Sequence, residues 1–281
     1  MRIRVKKRTL KLLAVAVVVV AILAFVFRPQ SHVLYSTENG LFQYSSSRPV
    51  PIATLLNSNQ TENYSQAELV LSSRDAKLSA FYFSPSKVRA GVVLLAGAGV
   101  DKKGNSGLAR FLADDGFAVL SYDQRGTGKT IVERETPIEP DSHKEVYDAL
   151  AAADYLRSKG VSPILLIGES MGGRTAIMAA AMDKRILGAV GISTSGYGNV
   201  ADPAYYAINP DNYLPALSGR KVAFIHSTAD TVIPIQYAQQ TFAMAPEPKN
   251  FFQITGCTHG YCPEMKSKLM AALDWVLNAT E

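Results

Sequence analysis

Three residues in this 281-residue chain have the types and the order needed for nucleophilic chemistry. They are Ser170 within Gly168-Glu-Ser-Met-Gly172, Asp230 within His226-Ser-Thr-Ala-Asp-Thr-Val-Ile-Pro234, and His259 within Gly256-Cys-Thr-His-Gly260. A serine hydroxyl is a weak nucleophile at neutral pH and needs an imidazole base, itself held in one tautomer by a carboxylate. Only four histidines are available. His32 lies in a polar N-terminal stretch, His143 begins a helical run upstream of the serine, and His226 ends an apolar run. His259 alone follows the last apolar run, and Asp230 lies between serine and base, where the acid belongs when the serine sits on a strand-to-helix corner. Asp202 is the reserve acid. As bland readings, Asp230 is a turn or cap residue and His259 an exposed loop histidine.

Ser170 is expected on such a corner because Ile164-Leu-Leu-Ile167 before it reads as a buried strand and Thr175-Ala-Ile-Met-Ala-Ala-Ala181 after it as a helix. A corner that sharp strains the serine backbone and needs glycines beside it. Attack on a carbonyl then calls for two backbone N–H donors aimed at the oxyanion. Met171 supplies one by position; the other is expected from Leu94-Leu-Ala-Gly-Ala-Gly99, with Ala98 the choice and Gly97 the alternative.

Two further patterns fail their chemistry. Gly126-Thr-Gly-Lys-Thr130 has Asp123 where a phosphate-binding loop needs its first glycine, and Gly97-Ala-Gly99 has Lys102 where a dinucleotide fingerprint needs its third. Asp123-Gln-Arg-Gly-Thr-Gly128 reads as a loop-shaping run. Cys257 and Cys262 flank His259 and can bridge outside the cytoplasm, remain thiols, or ligate a metal, the last disfavoured because no fourth ligand is visible. No cofactor and no metal are expected.

The elements that must position these residues form an α/β pattern from residue 67 onward: short apolar runs alternating with helical ones, the mark of a mostly parallel sheet covered by helices on both faces. Strands are predicted at 67–72 and 78–83, an opening hairpin joined across Arg74-Asp75, then at 90–96, 118–122, 163–168, 187–193, 221–226 and 251–254. Helices are predicted at 107–115, 142–158, 170–182, 235–245 and 264–277. A Tyr-, Pro- and Asn-rich insert spans 194–218, and its Tyr197, Tyr205, Tyr206 and Tyr213 are candidate pocket residues. Such a sheet gathers its functional loops at the carboxyl ends of its strands.

The formal charge of +5 is misleading until it is located. Arg2, Arg4, Lys6, Lys7, Arg8, Lys11 and Arg28 lie in the first 30 residues without an acid; the remainder holds 22 Lys and Arg against 24 Asp and Glu. That balance excludes a basic nucleic-acid face. The cationic cluster precedes an uncharged run, Leu12 to Phe27, with no small-residue cleavage site after it. Residues 1–27 are therefore expected to be an uncleaved signal anchor and transmembrane segment, with the charged tail inside and the catalytic domain periplasmic or extracellular. Residues 28–66 read as a polar stalk, free or packed in part on the domain, and 67–281 as the catalytic domain.

The four motifs, in this order on these elements, resemble bacterial α/β-hydrolases of the esterase and serine-aminopeptidase kind. The resemblance covers roughly residues 67–279. It implies an α/β-hydrolase fold with a small or minimal cap, and a serine hydrolase acting on a small-molecule ester, thioester or amide. One departure is Ala96-Gly97, where such proteins often carry His-Gly. The competing expectation is a catalytically silent fold that binds ligands at the envelope.

Overall fold

The computed structural model describes residues 35–36, 42–43, 50–133, 141–198 and 208–278. The run 12–27, Asp202, Tyr205 and Tyr206 lie outside them. Among the described residues no helix is long and apolar enough to cross a membrane.

Strands β1 (Tyr35–Ser36) and β2 (Phe42–Gln43) form a small antiparallel ladder. The rest build one ten-stranded sheet: β3 (Ala53–Gln60), β4 (Tyr64–Ser73), β5 (Ala76–Pro85), β6 (Ala90–Leu95), β7 (Phe117–Tyr122), β8 (Ile131–Val132), β9 (Ile164–Glu169), β10 (Ile186–Ile192), β11 (Lys221–Ser227) and β12 (Lys249–Ile254). Helices α1 (Ser106–Asp114), α2 (Asp141–Ser158), α3 (Met171–Met182), α4 (Ile235–Met244) and α5 (Lys266–Leu277) alternate with its later strands.

Across the sheet the order is β12-β11-β10-β9-β6-β7-β5-β4-β3, with β8 pairing with β5. The run from β12 to β7 is parallel, and β5, β4 and β3 continue it antiparallel. The chain leaves β6 toward β7 and returns on the other side as β9. The carboxyl ends of β6 and β9 thus face a topological switch point, where an open α/β sheet forms its binding crevice.

The parallel strands are continuous apolar runs because both faces are covered. Along β6, Val93 and Leu95 join a core with Leu150 and Ala153 of α2 and Ile177 of α3. Val92 and Leu94 point the other way, into a core with Leu112 of α1 and Leu273 of α5. Each fully buried Val, Leu or Ile among them contributes about 1.5–3 kcal/mol.

Every predicted strand and helix is present in the predicted order, with ends displaced by up to a few residues, but the short β8 lies where only a loop is expected. The expected stalk differs: β3 and the start of β4 fall within residues 28–66 and belong to the sheet. Strand β3 is at the sheet edge with nearly all its side chains exposed, so Asn57-Ser-Asn-Gln60 shows no apolar alternation to betray a strand. The expected hairpin turn is at Arg74-Asp75, with Arg74 at φ 48°.

Candidate active site

The corner is formed as the spacing predicts. Ser170 follows β9 directly, precedes α3, and takes φ 52° and ψ −116°, a conformation that costs a non-glycine residue about 1–3 kcal/mol. Neighbouring contacts hold it there. The Ser170 N–H donates to the Ile192 carbonyl at 2.9 Å, while its own carbonyl accepts from the Thr194 hydroxyl at 2.7 Å and the Gly173 N–H at 3.0 Å. Gly168 and Gly172 permit the tight crossing: a β-carbon on Gly168 would enter the Gly172 backbone, and one on Gly172 would enter the carbonyls of Leu95 and Ala96.

His259 enters from the loop after β12. Its Nε2 is 3.1 Å from Ser170 Oγ, and its Nδ1 is 2.9 Å and 3.0 Å from the two oxygens of Asp230. A carboxylate only accepts, so Nδ1 carries the proton and Nε2 receives the serine hydroxyl. Asp230 follows β11; its side chain is inaccessible to solvent, whereas that of His259 is 22% exposed. The Val232 and Ile233 N–H groups each donate to Asp230 Oδ1 at 2.9 Å, so its orientation is set by its own turn. The turn reading of Asp230 and its place beside His259 are thus both realised by one side chain.

The loop after β6 runs against the serine: a β-carbon on Gly97 would lie 3.5 Å from Ser170 Cβ and 3.4 Å from Glu169 Oε1. Ala98 is exposed in this loop, and Met171 is the first residue of α3, where backbone N–H groups lack an intrahelical acceptor. Gln124 supports the loop from β7's side, its Nε2 donating to the Ala96 carbonyl at 2.9 Å.

Four supporting residues carried no separate signal in the sequence. Glu169 accepts from the Tyr261 N–H at 3.0 Å. Gln124 supports the Ala96 carbonyl as described. Lys102 is buried, its N–H donating to Asp123 Oδ1 at 2.7 Å and its ammonium lying 3.1 Å from Asp123 Oδ2 and 2.7 Å from Ser79 Oγ. His226 is buried beside the acid, with Nε2 2.8 Å from the Ile233 carbonyl and 3.3 Å from Asp230 Oδ2. Its Nδ1 has no partner. Burial pushes the His226 pKa down, against the opposing pull of the Ile233 carbonyl and the Asp230 charge.

The run after β7 shapes loops as expected. Arg125 forks onto Asp148 of α2 at 2.7 and 3.0 Å and reaches Asp75 in the β4–β5 turn at 2.8 Å. Cys257 and Cys262 are joined as a disulfide around His259, with Cα atoms 6.1 Å apart. Glu264 lies beside them, but paired sulfurs are not thiolate ligands. Of the insert tyrosines, Tyr213 is buried in the core, which removes it from any pocket, and Tyr197 lines a cavity.

A family model described as serine aminopeptidase, S33, matches residues 86–207. The chain is 26% identical over 166 residues to the Escherichia coli K12 protein YfhR, spanning 54% of this chain and 56% of that one. It therefore spans about half the length of that relative. An acetyl xylan esterase from Paenibacillus sp. R4 superposes with a TM-score of 0.68 at 16% identity, covering 81% of this chain and 89% of its own. A cold-adapted esterase from an Arctic intertidal metagenomic library gives 0.64 at 19% identity, covering 79% and 98%. With the parallel sheet, the switch point and the serine corner already in place, these likenesses show that the chain has the α/β-hydrolase fold.

Proposed function

We propose that this chain is a serine hydrolase, similar to the serine-aminopeptidase family, that cleaves a carboxylic ester, thioester or amide through an acyl-enzyme. The observation carrying this reading is the unbroken hydrogen-bond chain from Ser170 Oγ through His259 to Asp230, with the serine on a strained corner. Ser170 Oγ attacks the substrate carbonyl as its proton passes to His259 Nε2. Asp230 stabilises the imidazolium that forms, and the Met171 and Ala98 N–H groups receive the oxyanion. His259 then gives the proton to the leaving group, and water, deprotonated by the same nitrogen, releases the acid. No step calls for a cofactor. The likeness to an acetyl xylan esterase and a cold-adapted esterase supports ester substrates.

We further propose that residues 1–27 anchor the protein in a membrane with the catalytic domain periplasmic or extracellular. The cationic cluster ahead of Leu12 to Phe27 supports this, as does a disulfide suited to an oxidising compartment. Protease added to spheroplasts, whose cytoplasmic membrane is sealed and whose outer layers are removed, should degrade the catalytic domain; protection there would overturn the topology.

The test of the chemistry is fluorophosphonate labelling. Wild-type protein should label at Ser170, and Ser170→Ala should lose both the label and about 10⁶-fold in kcat on any ester the wild type turns over. A folded wild-type protein that neither labels nor hydrolyses is a silent binding domain.

A further inference from the structure

Beside the triad lies a cavity of about 300 Å³, at the small end for ligand pockets. None of the three triad residues lines it, but residues that adjoin or hold two of them form two of its walls. Arg174, one helical turn after Ser170, and Ser195, next to the Thr194 that holds the Ser170 carbonyl, form one. Val232 and Ile233, whose N–H groups hold Asp230, form the other. Tyr197 and Asp211 from the insert complete it.

Its two charged side chains are both fixed. Arg174 donates from Nε to the Ser195 carbonyl at 2.8 Å and from Nη1 to the Tyr197 hydroxyl at 2.7 Å, with its guanidinium 4.2 Å over the Tyr197 ring. Asp211 is only 7% exposed. Its Oδ2 accepts from the Gly198 N–H at 3.0 Å, and its own N–H is bound by the Asn209 side chain at 3.1 Å. Its Oδ1 makes no hydrogen bond of ordinary geometry, although the Thr241 hydroxyl, which also lines the cavity, is close enough to help hold the carboxyl's charge. A buried carboxylate oxygen without a well-placed donor is costly, and a site that leaves one rewards a ligand that supplies the donor. Gly196, another lining residue, packs directly against that oxygen, where any side chain would collide with the carboxylate.

We propose that this cavity is the substrate subsite of the hydrolase, and that it takes an uncharged, hydroxyl-bearing portion of the substrate whose O–H donates to Asp211. The inference rests on the serine-hydrolase reading and adds a substrate class to it. A cationic group is disfavoured because Arg174 already neutralises the cavity, and a second positive charge would be desolvated next to the first. A plain alkyl chain would leave Asp211 Oδ1 as it stands, without a well-placed donor.

The test compares two matched pairs of esters by titration of released acid. Glycerol monobutyrate against propyl butyrate places hydroxyls on the alcohol side; methyl glycerate against methyl propionate places them on the acyl side. In at least one pair the wild type should favour the hydroxylated ester by about tenfold in kcat/KM. Asp211→Asn keeps the Gly198 contact but turns Oδ1 into a donor, and should bring that ratio close to one; Gln240→Leu, on the exposed rim of the same cavity, should lower it less. Matching thermal midpoints would show that the variants are folded. Absence of preference in both pairs, a preference that survives Asp211→Asn, or faster turnover of butyrylcholine than of glycerol monobutyrate would each overturn the subsite while fluorophosphonate labelling of Ser170 leaves the hydrolase standing. Failure to label, with no turnover of any ester, would instead overturn the hydrolase and the subsite together.

Discussion

Glu169, the residue before the serine, accepts a hydrogen bond at 3.0 Å from the backbone of Tyr261, two residues beyond His259 and 92 positions away in the chain. One carboxylate thus ties the corner that presents the nucleophile to the loop that presents the base. Glu169→Ala should lower kcat by about tenfold, the equivalent of one charge-assisted hydrogen bond, with little change in KM. Glu169→Gln, which keeps an acceptor, should restore most of it. Steady-state kinetics of the two variants check this, and equal activity of Glu169→Ala and wild type would deny Glu169 a positioning role.

Lys102 and Asp123 are each only 1% exposed at the side chain and link the loop after β6 to the loop after β7. Removing one member of a buried pair strands the other charge, at a cost of about 3–5 kcal/mol. Lys102→Met should therefore lower the urea midpoint strongly without changing the slope. Because Lys102 lies in the same loop as Ala98, the variant should also lose kcat under conditions where it remains folded.

His226 predicts an acid-side loss of stability. Its Nε2 proton is directed to the Ile233 carbonyl, so a second proton would go to Nδ1, which is buried without an acceptor. Its folded-state pKa is lowered, first by burial and further by the nearby His259, although Asp230 and the Ile233 carbonyl oppose this. The unfolded chain therefore binds the proton first. The stability this supplies is complete above the ordinary histidine value of about 6.5 and is lost as pH falls from there through the lowered value. Unfolding free energy should fall by up to about 1.4 kcal/mol per pH unit in that window, and His226→Gln should flatten the slope. Urea titrations at several pH values between about 5 and 8 measure both.

The Cys257–Cys262 bridge closes a short loop around His259. Chain-entropy arguments give a loop of this size about 2 kcal/mol. Cys262→Ser should lose about that much stability and should lower kcat more than KM, because the base is what the loop holds. Alkylation of unreduced, unfolded wild-type protein should find no free thiol by mass spectrometry.

How much of this was legible beforehand depended on whether the signal was local. The strands of the parallel sheet were readable because burial on both faces demands unbroken apolar runs. Ser170 was readable because a strand, two close-packed glycines and a helix must all lie within a few residues of it. His259 and Asp230 followed by elimination among few histidines and from their positions after strands. Edge strand β3 was not readable, since exposure on both faces leaves no periodicity, and the apparent stalk was in part sheet.

The amino-acid order by itself determined the succession of elements and the three side chains proposed for catalysis, because short-range patterning is written in neighbouring residues. Folding alone decided that Lys102 meets Asp123, that Glu169 meets the histidine loop, that His226 lies against Asp230, and that Arg174 and Asp211 border one cavity. Those meetings depend on where β6, β9 and β11 stand in the sheet and on how the insert folds over their ends. Lys102 read as no more than a misplaced residue in a failed glycine motif; only the closing of two loops over it makes it a buried ion.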